Sequence, residues 1–128
     1  MDMYMEEIMD HYKNPRNSGK LKKPDVVLAD SNPLCGDQIE INIQLEKDNE
    51  TVKEIKFTGK GCAISQASCS IVTEFVIGKK LKEILEIKNE NVFEMLGNIQ
   101  LSMMRVKCAL LGLKTIQKAI IQYKAKEE

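Results

Sequence analysis

The stretch Gln38-Ile39-Glu40-Ile41-Asn42-Ile43-Gln44-Leu45-Glu46 alternates apolar and polar side chains without a fault. Successive side chains of a strand point to opposite faces, so it predicts a β-strand with one face in a core and the other in water. After the polar turn Lys47 to Glu50, Ile55 and Phe57 stand between Glu54, Lys56 and Thr58 and repeat that period. Val52 is out of phase with them, which predicts a bulge or a ragged strand end. Upstream, the short run Val26-Val27-Leu28-Ala29 predicts a strand that stops at a turn, Asp30-Ser31-Asn32-Pro33. Strands joined by short polar turns pair as an antiparallel meander.

Outside the strands the apolar period lengthens to three and four. Tyr4, Met5, Ile8, Met9 and Tyr12 make one stripe over Asp2 to Lys13, ending at Asn14-Pro15, and predict an amphipathic helix. Gly59-Lys60-Gly61 is expected to break the third strand, after which Ile64, Ala67, Ile71 and Phe75 predict a helix up to Gly78, with Cys62 at its start. Two short helical patterns follow, at Leu81 to Ile87 and Val92 to Leu96. A last helix from about Leu101 should bury Ala109, Leu113, Ile116, Ile120 and Tyr123 and fray over Lys124 to Glu128. The expected fold is α+β over residues 1–128 as one domain, a three-stranded antiparallel sheet with helices packed on one side.

The chain has 128 residues, 43% of them apolar and 30% charged, enough for a core without covalent staples. Nineteen basic side chains balance nineteen acidic ones, which argues against nucleic acid or an anionic membrane as partner. The acidic start Met-Asp-Met-Tyr-Met-Glu-Glu has no apolar stretch behind it, and apolar runs such as Cys108 to Leu111 are short. No signal peptide and no membrane span are expected, and the location expected is cytoplasmic.

In a reducing compartment, Cys35, Cys62, Cys69 and Cys108 read as thiols for metal or sulfur chemistry rather than as disulfides. No C-x-x-C pair is present, so a site must be assembled by the fold. If the hairpin is centred between Asp48 and Asn49, Leu45 faces Val52, Ile39 faces Thr58 and Cys35 faces Cys62. Asp37 follows Cys35 across Gly36, where a glycine-permitted bend can turn the carboxylate toward the same space. Cys62 at a helix start gains from free N–H groups that favour thiolate. Cys108 has Arg105 three residues before it, and Gly112 one turn after it is expected to leave open space beside the sulfur. Three thiols and a carboxylate suit a tetrahedral zinc ion, or an iron-sulfur cluster with one exchangeable oxygen ligand. Cys69 shares a helix edge with Val72 and Val76 and reads as packing. His11, near a helix end, reads as a helix-terminus interaction and not as a ligand.

Asn32-Pro-Leu-Cys-Gly-Asp37, Gly59-Lys-Gly-Cys-Ala-Ile-Ser65 with Ala67-Ser68, Lys107-Cys108 and the earlier His11-Tyr-Lys-Asn-Pro-Arg-Asn17 together resemble the IscU and NifU amino-domain family of iron-sulfur cluster assembly proteins. The resemblance implies a scaffold that accepts sulfur from a cysteine desulfurase and holds a nascent [2Fe-2S] cluster, or iron, on Cys35, Asp37, Cys62 and Cys108 for recipient apoproteins. Cys35 and Cys108 are the candidate persulfide acceptors, with Lys107 and Arg105 favouring the Cys108 thiolate. In the scaffold branch a His precedes the third Cys and a Leu-Pro-Pro-Val-Lys segment is read by a dedicated Hsp70-type chaperone. Here Lys107 and Leu101-Ser-Met-Met-Arg105 take those places, so that chaperone is not expected as a partner.

Arg105-Val-Lys-Cys-Ala-Leu-Leu111 and Gly61-Cys-Ala-Ile-Ser65 resemble the SufU branch, whose members carry zinc and accept persulfide sulfur. The 45 residues between Cys62 and Cys108 are short for that branch, which has an insertion there. The expected function is therefore cluster assembly, with a zinc-dependent persulfide acceptor as the alternative and a structural zinc module for partner binding as the rival of another class.

Overall fold

The structure is a computed structural model and describes residues 3–33 and 36–127. Its elements run α1 (Met3–Lys13), β1 (Val26–Asn32), β2 (Asp37–Leu45), β3 (Val52–Lys60), α2 (Ala63–Val76), α3 (Leu81–Leu85), α4 (Asn89–Met95) and α5 (Met103–Glu127). The strands form one antiparallel sheet in the order β1-β2-β3. Ile39, Ile41, Ile43 and Leu45 of β2 and Val52, Ile55 and Phe57 of β3 are buried, together with Ala67, Val72 and Val76 of α2 and Leu113, Ile116 and Ile120 of α5. Each such Val, Leu, Ile or Phe side chain contributes roughly 1.5–3 kcal/mol by leaving water. The predicted α+β class and three-stranded meander are what the chain forms.

Phase and register are settled by one irregularity. Leu45 faces Val52 as expected, but a bulge between Gln44 and Leu45 shifts the ladder, so Ile39 faces Gly59 and not Thr58. Lys53 is the extra residue. By absorbing it, the bulge brings Val52 onto the same face as Ile55 and Phe57, which strict alternation forbids.

Other boundaries move for tertiary reasons. β1 continues through Asp30-Ser31-Asn32, the expected turn, because Asn32 pairs with Asp37 and Asp30 takes Lys118 Nζ of α5 at 2.6 Å. Gly59 and Lys60 continue β3 rather than breaking it. A Cβ on Gly59 would stand 3.2 Å from Ile39 Cγ1, so this glycine serves close approach between strands. α5 does not fray at Lys124 but runs to Glu127, with Tyr123 half-buried and Lys124 Nζ 3.8 Å from Glu50 Oε1. The outer edge of β3 is covered by residues 17–19, where Phe57 N donates to Asn17 O and Gly19 N to Phe57 O, both at 2.9 Å.

α1 turns a different face inward from the one its apolar stripe predicts. Ile8 and His11 are buried, whereas Tyr4, Met9 and Tyr12 stay exposed. His11 lies in the last turn of α1, as expected, but it is a buried histidine with side-chain partners on α2: Nδ1 lies 2.8 Å from Ser70 Oγ, and Nε2 lies 3.6 Å from Glu74 Oε1. Ser70 Oγ also accepts from Arg16 N at 2.8 Å, so one hydroxyl fastens both α1 and the segment after it.

Burial pushes His11 below the ordinary histidine range; the nearby Arg16 cation acts the same way and Glu74 opposes it. A group with a lowered folded pKa binds its proton more readily when unfolded, so stability falls as pH drops through about 6.5 and levels once His11 titrates in the folded state. Urea unfolding midpoints are expected to drop between about pH 7.5 and about pH 5.5, and His11→Gln is expected to flatten that slope.

Candidate metal centre

The end of the sheet where β2 begins and β3 ends carries the candidate site. Gly36 adopts φ +74°, the left-handed bend expected there, and its N–H donates to Asn32 O at 2.9 Å. The chain then enters β2 with Asp37, whose side chain is buried. From the opposite strand, Gly61 leads to Cys62, which caps the N-terminus of α2 in an extended conformation. Ser65 N donates to Cys62 Sγ at 3.5 Å, and Ser65 Oγ donates to Cys62 O at 3.1 Å. A sulfur thus fills the capping role that oxygen usually has. Cys62 N donates to Asp37 Oδ1 at 3.0 Å, and Asp37 Oδ2 lies 3.7 Å from Cys62 Sγ.

Cys108 arrives from α5 and is fully buried, while Cys62 is half-buried. One donor atom each from Asp37, Cys62 and Cys108 lies within 4.8 Å of the others, the metal-type group found among the described residues. A tetrahedral ion with metal–sulfur bonds of about 2.3 Å and metal–oxygen bonds of about 2.0 Å keeps its donors roughly 3.5–3.8 Å apart. Cys62 Sγ donates to Asp37 Oδ2 at 3.7 Å, close to the roughly 3.5 Å sulfur–oxygen edge of such a site, and the two-thiolate, one-carboxylate set suits zinc or iron.

Three predicted residues therefore meet, and the fourth, Cys35, lies outside the described residues, as does the pairing expected of it with Cys62. Lys107 and Arg105 are exposed on the first turns of α5. Cys69 is fully buried, and burial pushes its thiol well above the ordinary range, in keeping with packing. The expectation for Gly112 needs correction. The space beside it is not open, since a Cβ there would stand 3.0 Å from Cys69 Cα and 3.1 Å from Cys69 Sγ. Gly112 lets α5 lie close against α2.

Two residues of the quoted motif gain roles that the sequence does not assign them. Ser65, three residues after Cys62, is buried and orients Cys62. Gly61 makes room for the carboxylate, since a Cβ there would stand 2.7 Å from Asp37 Cγ and 2.8 Å from Ser65 Oγ. Gly61→Ala is accordingly expected to displace Asp37, weakening Zn2+ binding roughly tenfold or more in a competition titration against a chromophoric chelator, while circular dichroism still reports a folded chain.

The profile of the NifU-like N-terminal domain matches residues 3–128. The chain is 39% identical to the iron-sulfur cluster assembly scaffold protein IscU of Haemophilus influenzae, over 97% of this chain and 98% of that one. It is 35% identical to the zinc-dependent sulfurtransferase SufU of Bacillus subtilis, over 98% of this chain and 92% of the relative. Among solved structures, a SUF-system protein from Fervidobacterium islandicum AW-1, described as a cluster assembly scaffold, superposes with TM-score 0.75 at 29% identity, covering 93% of this chain and 99% of that one. In sequence and fold, this chain belongs to the NifU-like N-terminal domain family, alongside its IscU and SufU members.

Proposed function

We propose that the protein is an iron-sulfur cluster assembly scaffold. It accepts sulfur from a cysteine desulfurase and holds a nascent [2Fe-2S] cluster, as cargo, on Cys35, Asp37, Cys62 and Cys108 until a recipient apoprotein takes it. The observation that carries this reading is the convergence of Asp37, Cys62 and Cys108 donors within 4.8 Å. Thiolates hold iron strongly, and a single carboxylate among them is the hard, labile ligand at which exchange begins.

In the sulfur step, a scaffold thiolate attacks the outer sulfur of the desulfurase persulfide. A new S–S bond forms on the scaffold, the desulfurase S–S bond breaks, and the desulfurase cysteine leaves as thiolate. Cys35 and Cys108 are the proposed acceptors; Cys108 is buried, so its use requires the mouth of the site to open. Lys107 and Arg105, both exposed, supply positive charge near that thiolate. Lys107 does not replace the histidine ligand of the scaffold branch, because an ammonium has no lone pair for a metal.

The second reading, a zinc-dependent persulfide acceptor, is favoured by the SufU relative, and the donor set accommodates zinc as well as iron. Chain length favours the scaffold. The alignment with SufU needs 142 positions to span 98% of this chain, against 127 positions for 97% with IscU of H. influenzae. A purely structural zinc module is disfavoured because the apolar core of sheet, α2 and α5 does not involve the thiols at the sheet's end. No helix among the described residues is long and apolar enough to cross a membrane, and we place the protein in the reducing cytoplasm.

Anaerobic reconstitution with iron and sulfide tests the reading. Cys35→Ser, Cys62→Ser and Cys108→Ser should each lose the cluster absorption, Cys69→Ser should keep it, and Asp37→Ala should retain the cluster but hand it on more slowly. Stoichiometric zinc that resists exchange by iron and sulfide would instead establish the persulfide-acceptor reading. Separately, Lys107→Met and Arg105→Met should slow persulfide formation at Cys108 a few-fold, read by mass spectrometry of quenched reactions, with metal content unchanged.

A further inference from the structure

Cys62 and Cys108 come from different helices, so their separation depends on how α2 and α5 are fastened together. The fastening lies beside Cys108 on α5 and nearly two turns beyond Cys62 on α2. Ser68 Oγ of α2 donates to the backbone oxygen of Ala109 at 2.6 Å, with both residues fully buried. Ala109 directly follows Cys108. One turn further along α5, Gly112 lies so close to α2 that a Cβ would stand 3.0 Å from Cys69 Cα.

Helical Ser and Thr hydroxyls commonly bond back to their own helix. Thr73 Oγ1 does so to Ser70 O at 2.7 Å, and Thr115 Oγ1 to Leu111 O at 2.8 Å. Ser68 instead spends its donor on a carbonyl of α5 that lies within the helical ladder. Six residues separate Ser68 from Cys62, about 9 Å along α2. The two helices are thus pinned at Ser68–Ala109 and Cys69–Gly112, and both thiols stand on the same side of that pin, at the N-terminal ends of their helices.

We infer that Ser68 is a positioning residue for the metal centre: its hydrogen bond to Ala109 O, with the close packing of Gly112 on Cys69, sets the distance between the Cys62 and Cys108 sulfurs. The inference rests on the metal-site reading above and extends it to residues that touch no metal. It also explains why α2 carries a buried serine where an alanine would pack as well. Removing the hydroxyl leaves Ala109 O within the α5 ladder but frees α5 to slide or tilt, and a displacement there moves Cys108 with it.

A structural control stands two residues away on the same helix. Ser70 is equally buried and also bonded across an interface, but to His11 and Arg16 N on the α1 side. Its loss should destabilise the fold without altering the thiol spacing.

The experiment titrates the metal-free full chain with Co2+ anaerobically and reads the thiolate-to-cobalt charge-transfer absorption, with unfolding by urea recorded for each protein. Ser68→Ala should bind Co2+ roughly tenfold more weakly, with a changed charge-transfer intensity. Ser70→Ala should unfold at lower urea yet bind Co2+ with the wild-type affinity and spectrum. Gly112→Ala, which presses on the same crossing from α5, should shift the spectrum as Ser68→Ala does, and it decides the matter if Ser68→Ala does not fold. Wild-type binding and spectrum in Ser68→Ala would overturn the inference, as would equal changes in Ser68→Ala and Ser70→Ala, which would reduce the effect to general loosening. A wild-type chain that takes up Co2+ with no thiolate band would overturn the metal-site reading itself, a result separate from either of these.

Discussion

The amide of Cys62 donating to Asp37 Oδ1 at 3.0 Å joins the first residue of β2 to the cap of α2. One side of this contact is the bend at Gly36, and the other is the turn out of β3 through Gly61. The carboxylate that could hold a metal is therefore also the group that satisfies a helix N-terminal N–H, and the sulfur that could hold a metal is also the cap. A buried carboxylate is costly unless hydrogen-bonded, and a helix N-terminus is where such charge is best tolerated. Structure and chemistry at this corner use the same atoms. The close quarters at Gly61 leave no room for a side chain between them.

A second constraint lies at the other end of the hairpin. The bulge at Gln44/Leu45 sets which residues of β3 face the helices, and hence which residue of the 59–62 segment lies opposite the start of β2. Without it, the run from Ile55 to Phe57 and the isolated Val52 could not share a core, and Ile39 would pair one residue earlier. The register at the site is thus decided far from the site, through the rigid period of the strand.

α2 shows how polarity is carried through a core. Ser65, Ser68, Ser70 and Thr73 are all buried, and each has a partner: Cys62 at the cap, Ala109 on α5, His11 and Arg16 on the α1 side, and Asn17 together with the helix's own Ser70 carbonyl. Buried hydroxyls stabilise only when satisfied, and satisfied ones select a single docking geometry that apolar packing alone leaves looser. The helix that begins at one candidate ligand is held from three directions by named bonds.

How much of this was legible in the chain itself follows from the range of each interaction. The unbroken alternation of Gln38 to Glu46 determines β2, and the three-and-four spacings after Cys62 and after Leu101 determine α2 and α5, because strand and helix periods act between near neighbours. The motif around Asp37, Cys62 and Cys108 was readable as donor chemistry for the same reason: residue type and a flanking glycine are local facts. What the period could not reveal was decided by partners distant in sequence. Asp30 stays in a strand because its backbone pairs with Ile39 of β2, and His11 turns inward because Ser70 receives it. Gly112 leaves no open space because Cys69 fills it, and Ser68, part of the motif but with no role readable from it, gains its meaning only where Ala109 of α5 crosses it. The sequence by itself determined which elements form and which side chains carry metal-donor chemistry; the tertiary structure alone decided their separation, since distances between helices depend on contacts that no local pattern encodes.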